Sequence, residues 1–187
     1  MADAPLHLLA MSGSLRAGSY NTAALKAAQE LAGEGVRIEI ASIDDIPFYN
    51  ADVQAKGFPE PVKALGEKIR AADAVLIASP EYNYSVPGVL KNAIDWVSRL
   101  ENQPFAGKPV GMIGASMSLL GAARAQYHLR QMMVYLDALP INKPEVFIAS
   151  AHQKFDAGGA LTDETTRGFV KALVAALAAW TRRLQST

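Results

Sequence analysis

Five consecutive apolar residues, Ala74-Val75-Leu76-Ile77-Ala78, stand between Asp73 and Ser79. A run this short reads as a strand, and a strand without a polar side needs cover on both faces, which is the environment of a parallel sheet in an α/β protein. That requirement organises the rest of the chain. Leu6-His7-Leu8-Leu9-Ala10-Met11 is a similar run that stops at a Ser/Gly-rich turn. Val110-Gly111-Met112-Ile113-Gly114-Ala115 is a fourth strand, loosened by two glycines, and Val146-Phe147-Ile148-Ala149 is a short fifth. Val36-Arg37-Ile38-Glu39-Ile40 alternates, so it belongs at a half-exposed edge.

Between these runs lie segments of helical period, at about residues 21–33, 60–72, 87–99 and 121–137, with a last one from about 163 to 185. The fourth places Ala122, Ala125, Leu129, Met132, Met133 and Leu136 on one stripe. The last does the same with Phe169, Leu173, Leu177, Trp180 and Leu184, after an N-cap expected at Thr162. Two stretches fall out of period. Residues 43–57 read as a loop crossing the top of the sheet, and 142–159 as mostly connection. Strands alternating with helices predict a doubly wound α/β three-layer sandwich, whose ligand crevice lies outside the carboxyl ends of the strands where their order reverses. Chemistry is therefore expected in the loops after strands one, three and four.

A chain of 187 residues is one domain, 1–187, with no room for a separate cofactor domain. Eighteen Lys+Arg balance eighteen Asp+Glu, which gives no general electrostatic reason to bind nucleic acid or an anionic membrane. The absence of cysteine removes disulfides, iron–sulfur clusters and thiolate catalysis. No segment approaches the roughly 18 apolar residues of a membrane span. Residues 1–5 carry an acid and a proline where a leader needs positive charge, so a cytoplasmic protein is expected. His7, His128 and His152 have no metal or triad spacing, and neither H-E-x-x-H, G-x-S-x-G nor a P-loop lysine occurs.

The first of the three loops, Ser12 to Thr22, is rich in small residues and hydroxyls and leads into a helix, whose free amides and partial positive charge suit an oxyanion. Arg16 adds a permanent charge with a forked donor. The same residues also describe a serine-capped turn with no ligand. The second loop, Ser79-Pro80-Glu81-Tyr82-Asn83-Tyr84-Ser85, leaves the most buried strand and presents two tyrosines and an asparagine, against which a flat aromatic edge could lie. Taken singly, Tyr82 and Tyr84 equally suit packing on a helix. The third, Ala115 to Gly121, offers backbone amides from the other side.

Gly13-Ser14-Leu15-Arg16 with Ser19 and Asn21, together with the run Ser79 to Trp96 and Gly121 to Gln131, resembles the NADPH-dependent FMN reductase family, particularly its chromate and quinone reductase branch. The likeness covers about residues 6 to 180. It implies a flavodoxin-like fold with a five-stranded parallel sheet of order 2-1-3-4-5, bound FMN, and NADPH or NADH as electron donor. By matching positions, Ser14, Arg16, Ser19, Asn21 and Thr22 correspond to the residues that hold the FMN phosphate. Pro80, Glu81, Tyr82 and Asn83 correspond to the turn bordering the isoalloxazine ring, and Ser116 to a contact from the third loop. No catalytic side chain is implied, since the cofactor carries the chemistry. Met117, Ser118 and Leu119 stand where many relatives have glycine or proline. Acceptors implied are quinones, free flavin, azo compounds or oxidised metal anions such as chromate; the other class open to such a chain is a flavodoxin-type electron carrier. The resemblance also implies a homodimer or homotetramer, with Arg124, Tyr127 and Glu145 clustered between subunits.

Overall fold

The computed structural model describes residues 4–186; residues 1–3 of the stretch used to argue against a leader lie outside it. Its elements in chain order are β1 (Leu6–Ser12), α1 (Tyr20–Glu30), β2 (Val36–Ala41), α2 (Ala51–Gln54), α3 (Glu60–Ala71), β3 (Ala74–Ala78), α4 (Gly88–Val97), β4 (Pro109–Ala115), α5 (Ala123–Tyr135), β5 (Leu139–Pro140), β6 (Val146–Ile148) and α6 (Glu164–Gln185), with a single 3-10 turn at Ala151–Gln153. All strand pairs are parallel, in the order β2-β1-β3-β4-β5, with β6 also on β4. The flavodoxin-like order is thus present. β3 is buried along its whole length.

Alternation along each central strand divides the core in two. Leu8 and Ala10 of β1, with Ala74, Leu76 and Ala78 of β3, pack under α1 and α6. Leu9 and Met11, with Val75 and Ile77, pack under α3, α4 and α5 through Leu65, Ile69, Leu90, Ile94, Leu129 and Met133. The three-layer reading follows from this: β3 is apolar throughout because each of its faces meets a different helical layer.

Four expectations need correction. The fifth strand is split: β5 pairs with Pro109 and Val110 at the start of β4, whereas β6 pairs with Ile113 to Ala115 at its end. The Leu139 and Ile141 amides donate to Lys108 O and Val110 O on either side of Pro140, and residues 142–145 then leave the ladder and separate the two pieces. The stripe of α6 runs through Thr166, Val170, Leu173, Val174, Leu177, Ala178 and Thr181, and Phe169 is left exposed. Small side chains let α6 sit close to the sheet, so bulk is a poor guide to its buried face. The cap of α6 is Asp163, whose carboxylate accepts from the Thr166 amide at 2.8 Å, while the Thr162 hydroxyl bonds Lys154 O. A carboxylate also complements the helix dipole, which a hydroxyl does not.

Residues 43–57, finally, are not all loop: they include the short helix α2 and are pinned to α4. Pro47 O accepts from both Asn92 Nδ2 and the indole of buried Trp96, Tyr49 N donates to Asn92 Oδ1, and Asn50 caps the four-residue α2. The second glycine of β4 and the glycine that ends the third loop have specific neighbours. A Cβ on Gly114 would lie 2.5 Å from Gly121 O, and Gly121 itself has φ +55 with Phe147 backbone 2.6 Å from its missing Cβ. The third loop can therefore turn flat against the end of the sheet only with glycine at both positions. No helix among the described residues is long and apolar enough to cross a membrane.

Candidate functional site

The chain leaves β1 toward β2 on one side and reaches β3 on the other, so the reversal of strand order falls between β1 and β3. The three loops meet above it. Gly13 N donates to Ala78 O and Ser79 N to Ile113 O, tying the loops after β1, β3 and β4 into one rim.

In the first loop, Ser19 is the N-cap of α1: its hydroxyl accepts from the amides of Asn21 and Thr22. Thr22 Oγ1 donates to Ser12 Oγ at 2.9 Å, and the Ser14 and Ser12 side chains brace the turn through the amides of Arg16 and Ser14. What remains is informative. The amides of Leu15, Ala17, Gly18 and Tyr20 find no acceptor among the described residues, although the loop is otherwise closely bonded. Four unpaired donors in the loop that enters the amino end of α1 are an arrangement that suits an anion. Arg16 is exposed, its guanidinium 5.5 Å from the centre of the Tyr20 ring. Hollows of about 300 Å³ and 280 Å³ flank the loop; the first includes Ser14, Arg16 and Thr22, the second Gly18, Ser19 and Lys26.

Asn21 is placed differently from the other four residues of this group. It is buried, and its amide both donates to Ala115 O at 3.0 Å and accepts from Ala115 N at 2.9 Å. Its side chain thus closes the last rung of β4 and couples the start of α1 to the third loop.

In the second loop, buried Ser79 and Pro80 lead into a two-residue turn in which Tyr82 and Ser85 exchange both backbone hydrogen bonds at 3.0 Å. Its central residues, Asn83 and Tyr84, have φ of +48 and +66. These are the left-handed conformations of a type I′ turn, which favours Asn and then Gly. Their amides also find no acceptor among the described residues. The Glu81 carboxylate does not face this open side. Its Oε2 accepts from the amides of Arg124 (3.0 Å) and Ala125 (3.3 Å), and its Oε1 from Arg124 Nε at 2.5 Å. Glu81 therefore caps α5, whose own N-cap residue, Ala122, has no polar side chain.

Ser116 stands at the third loop with its hydroxyl against Ser118 Oγ at 2.7 Å and its backbone tied to Ile148 O and Ala151 N. Met117 and Leu119 project from the rim, 65% and 85% exposed. Arg124, Tyr127 and Glu145 do not gather in one chain: Arg124 pairs with Glu81, whereas Glu145 is bonded by Lys143 and Tyr127. The Lys143 ammonium holds the Glu145 carboxyl below the usual range against an opposing effect of burial, with Tyr127 and Arg130 acting in the same direction as Lys143.

Sequence reading missed Arg124 and His128 as partners of the second loop, and with them the φ-positive turn at Asn83 and Tyr84. Only Tyr84, following an asparagine at the glycine position of a tight turn, carried a local signal.

A doubly wound sheet of this order, with an anion cradle and a rigid turn on opposite sides of the reversal, defines a flavodoxin-like α/β protein. Comparison narrows the class. The family model described as NADPH-dependent FMN reductase matches residues 6–153, and the chain belongs to that family. It is 56% identical over 180 residues to an NAD(P)H-dependent FMN reductase of Pseudomonas aeruginosa, covering 96% of this chain and 97% of the relative. It is 52% identical over 153 residues to a quinone reductase of Escherichia coli, covering 81% of each. Among solved structures, the flavoenzyme NAD(P)H:(acceptor) oxidoreductase of Paracoccus denitrificans superposes with a TM-score of 0.86 at 37% identity, over 95% of this chain and 98% of that one. The chain is an oxidoreductase of the FMN- and NAD(P)H-dependent kind, as the motifs implied.

Proposed function

We propose that this chain, acting as a single flavin-binding unit of the cytoplasm, binds FMN at the rim and passes electrons from NADPH or NADH to small acceptors, quinones foremost. Free flavin, azo compounds and oxidised metal anions such as chromate belong to the same acceptor range. The observation that carries this reading is the set of four unpaired amides in the first loop, with Arg16 beside them, at the strand reversal of a chain of this family. They fit a phosphate in number, charge and position. Ser14, Ser19 and Thr22 shape that cradle by bonding its frame from within, and Asn21 ties it to the end of β4.

Along the ring edge, the amides of Asn83 and Tyr84 and the backbone near Pro80, Glu81, Tyr82 and Ser116 supply fixed dipoles in place of water. FMN, when bound, supplies the redox chemistry, accepting hydride from the nicotinamide and yielding electrons to the acceptor. Donors already aimed by the fold favour the charge that reduction creates, without reorganisation. Met117 and Leu119 border the approach and narrow it. With space for one visitor, donor and acceptor alternate, so double-reciprocal plots at several quinone concentrations give parallel lines. Anaerobic addition of NADPH to the purified yellow protein bleaches its flavin absorption within the turnover time. A colourless protein that takes up no added FMN, or intersecting lines, ends this reading.

The reading extends to self-association. Phe48, Tyr84, Leu119, Val134 and Tyr135 are each at least 67% exposed, an apolar load more suited to a homodimer or homotetramer than to a monomer. Sedimentation equilibrium of the flavin-loaded protein measures this directly.

A further inference from the structure

Tyr84 is an improbable residue where it stands. A φ of +66 at the third position of a two-residue turn is ordinary for glycine and strained for an aromatic residue. Such a residue persists where its surroundings over-determine it. Those surroundings converge on one side chain. The Arg124 guanidinium lies over the Tyr84 ring, 3.5 Å from its centre, while its Nε donates to Glu81 Oε1 at 2.5 Å. Glu81 stands just before the turn and Tyr84 is its second central residue, so one planar cation grips the turn at its entry and at its tip. A second tie, between Ser85 Oγ and His128 Nδ1 at 2.9 Å, comes from one turn further along α5. Helix α5 is itself seated by buried Ala125, Leu129 and Met133.

We propose that Arg124 is a positioning residue for flavin binding: by bridging Glu81 and Tyr84 it holds the 81–85 turn in its left-handed conformation and so aims the Asn83 and Tyr84 amides at the ring edge. The inference rests on the FMN reading given above. Arg124 itself need not touch the flavin.

The test is a double-substitution cycle read by FMN titration of the flavin-free full chain and by the midpoint potential of the bound flavin. Wild-type protein is titrated first; if it takes up no FMN, the functional reading fails and this inference goes with it. Given wild-type binding, Arg124→Gln weakens FMN about tenfold, equivalent to roughly 1.4 kcal/mol. It also moves the potential to more negative values, because loosened amides stabilise reduced flavin less well. Arg124→Lys does not restore either value, since an ammonium cannot pair with the carboxylate and stack on the ring at once. In a Tyr84→Gly background, where the turn forms without strain, Arg124→Gln changes affinity by less than about twofold. Equal losses in both backgrounds, accompanied by a lower unfolding temperature of the flavin-free chain, make Arg124 a merely structural cap and overturn the proposal. So does an Arg124→Gln protein that binds FMN within about twofold of wild type with an unchanged potential.

Discussion

The two sides of the rim solve opposite problems. In the first loop the side chains brace one another and leave backbone donors over: the amides of Leu15, Ala17, Gly18 and Tyr20 meet no acceptor among the described residues, and Arg16 is exposed. In the second loop a carboxylate and a guanidinium are fully engaged with each other and with α5, and the turn is fixed before any ligand arrives. In the function proposed above, an anion completes the first region. In the second the side chains are already paired, and only the Asn83 and Tyr84 amides are left over. Substitutions in the cradle should therefore act on affinity, and those in bonded positions on stability.

Asn21 gives the sharpest test, because by sequence it belongs to the cradle and by bonding to the finished framework. Asn21→Ala removes two hydrogen bonds and leaves the Ala115 N–H and C=O, at the end of a wholly buried strand, without partners. We expect a loss of about 2–4 kcal/mol, seen as a melting temperature lower by roughly 5–15 °C in a chain of this size. An unchanged melting temperature with weakened FMN binding would instead return Asn21 to the cradle.

Arg16 tests the other half. Its guanidinium lies 5.5 Å from the Tyr20 ring and beside Gly18, with no carboxylate partner among the described residues, so Arg16→Ala should leave the melting temperature of the flavin-free chain within about 1 °C of wild type. FMN affinity should fall by about 1.5–3 kcal/mol, the range of a charged hydrogen bond, or ten- to roughly a hundredfold. Riboflavin, which has no phosphate, should bind the two proteins alike. Equal weakening for both ligands breaks the comparison, since Arg16 would then be shaping the ring side as well.

The sheet and the capped turn of the first loop were legible because both depend on local pattern. Apolar runs such as Ala74 to Ala78 state their own burial, and the loop from Ser12 to Thr22 carries its hydroxyls and arginine in one stretch. What escaped depends on partners far along the chain. Glu81 and Arg124 are 43 residues apart, and nothing near either one says that a loop carboxylate will cap a helix beginning at Ala123. The division of the fifth lane into Leu139–Pro140 and Val146–Ile148 was hidden for another reason: two paired residues are too few to show a period. In α6, Phe169 claimed the buried stripe by bulk, whereas close approach to the sheet selected Val170, Val174 and Ala178.

Asp163 offers the smallest effect and the cleanest control, because it caps a helix as Glu81 does but from its own chain segment and with no ligand loop attached. Hydrogen bonds from the Thr166 hydroxyl and amide hold its carboxyl below the ordinary Asp range, and the Lys154 ammonium at 3.3 Å adds to them. A carboxyl depressed in the folded state binds fewer protons there than in the unfolded chain. Its contribution is thus fully present above the unfolded value of about 3.9 and is lost as pH falls through the lower native value. Asp163→Asn keeps an acceptor for the Thr166 amide and removes the titration. Its melting temperature should lie slightly below wild type at neutral pH and converge with it in acid, while FMN affinity at neutral pH stays that of wild type. If FMN affinity falls with this substitution too, capping a helix anywhere in the molecule affects the rim, and the special standing given to the Glu81–Arg124 pair is lost.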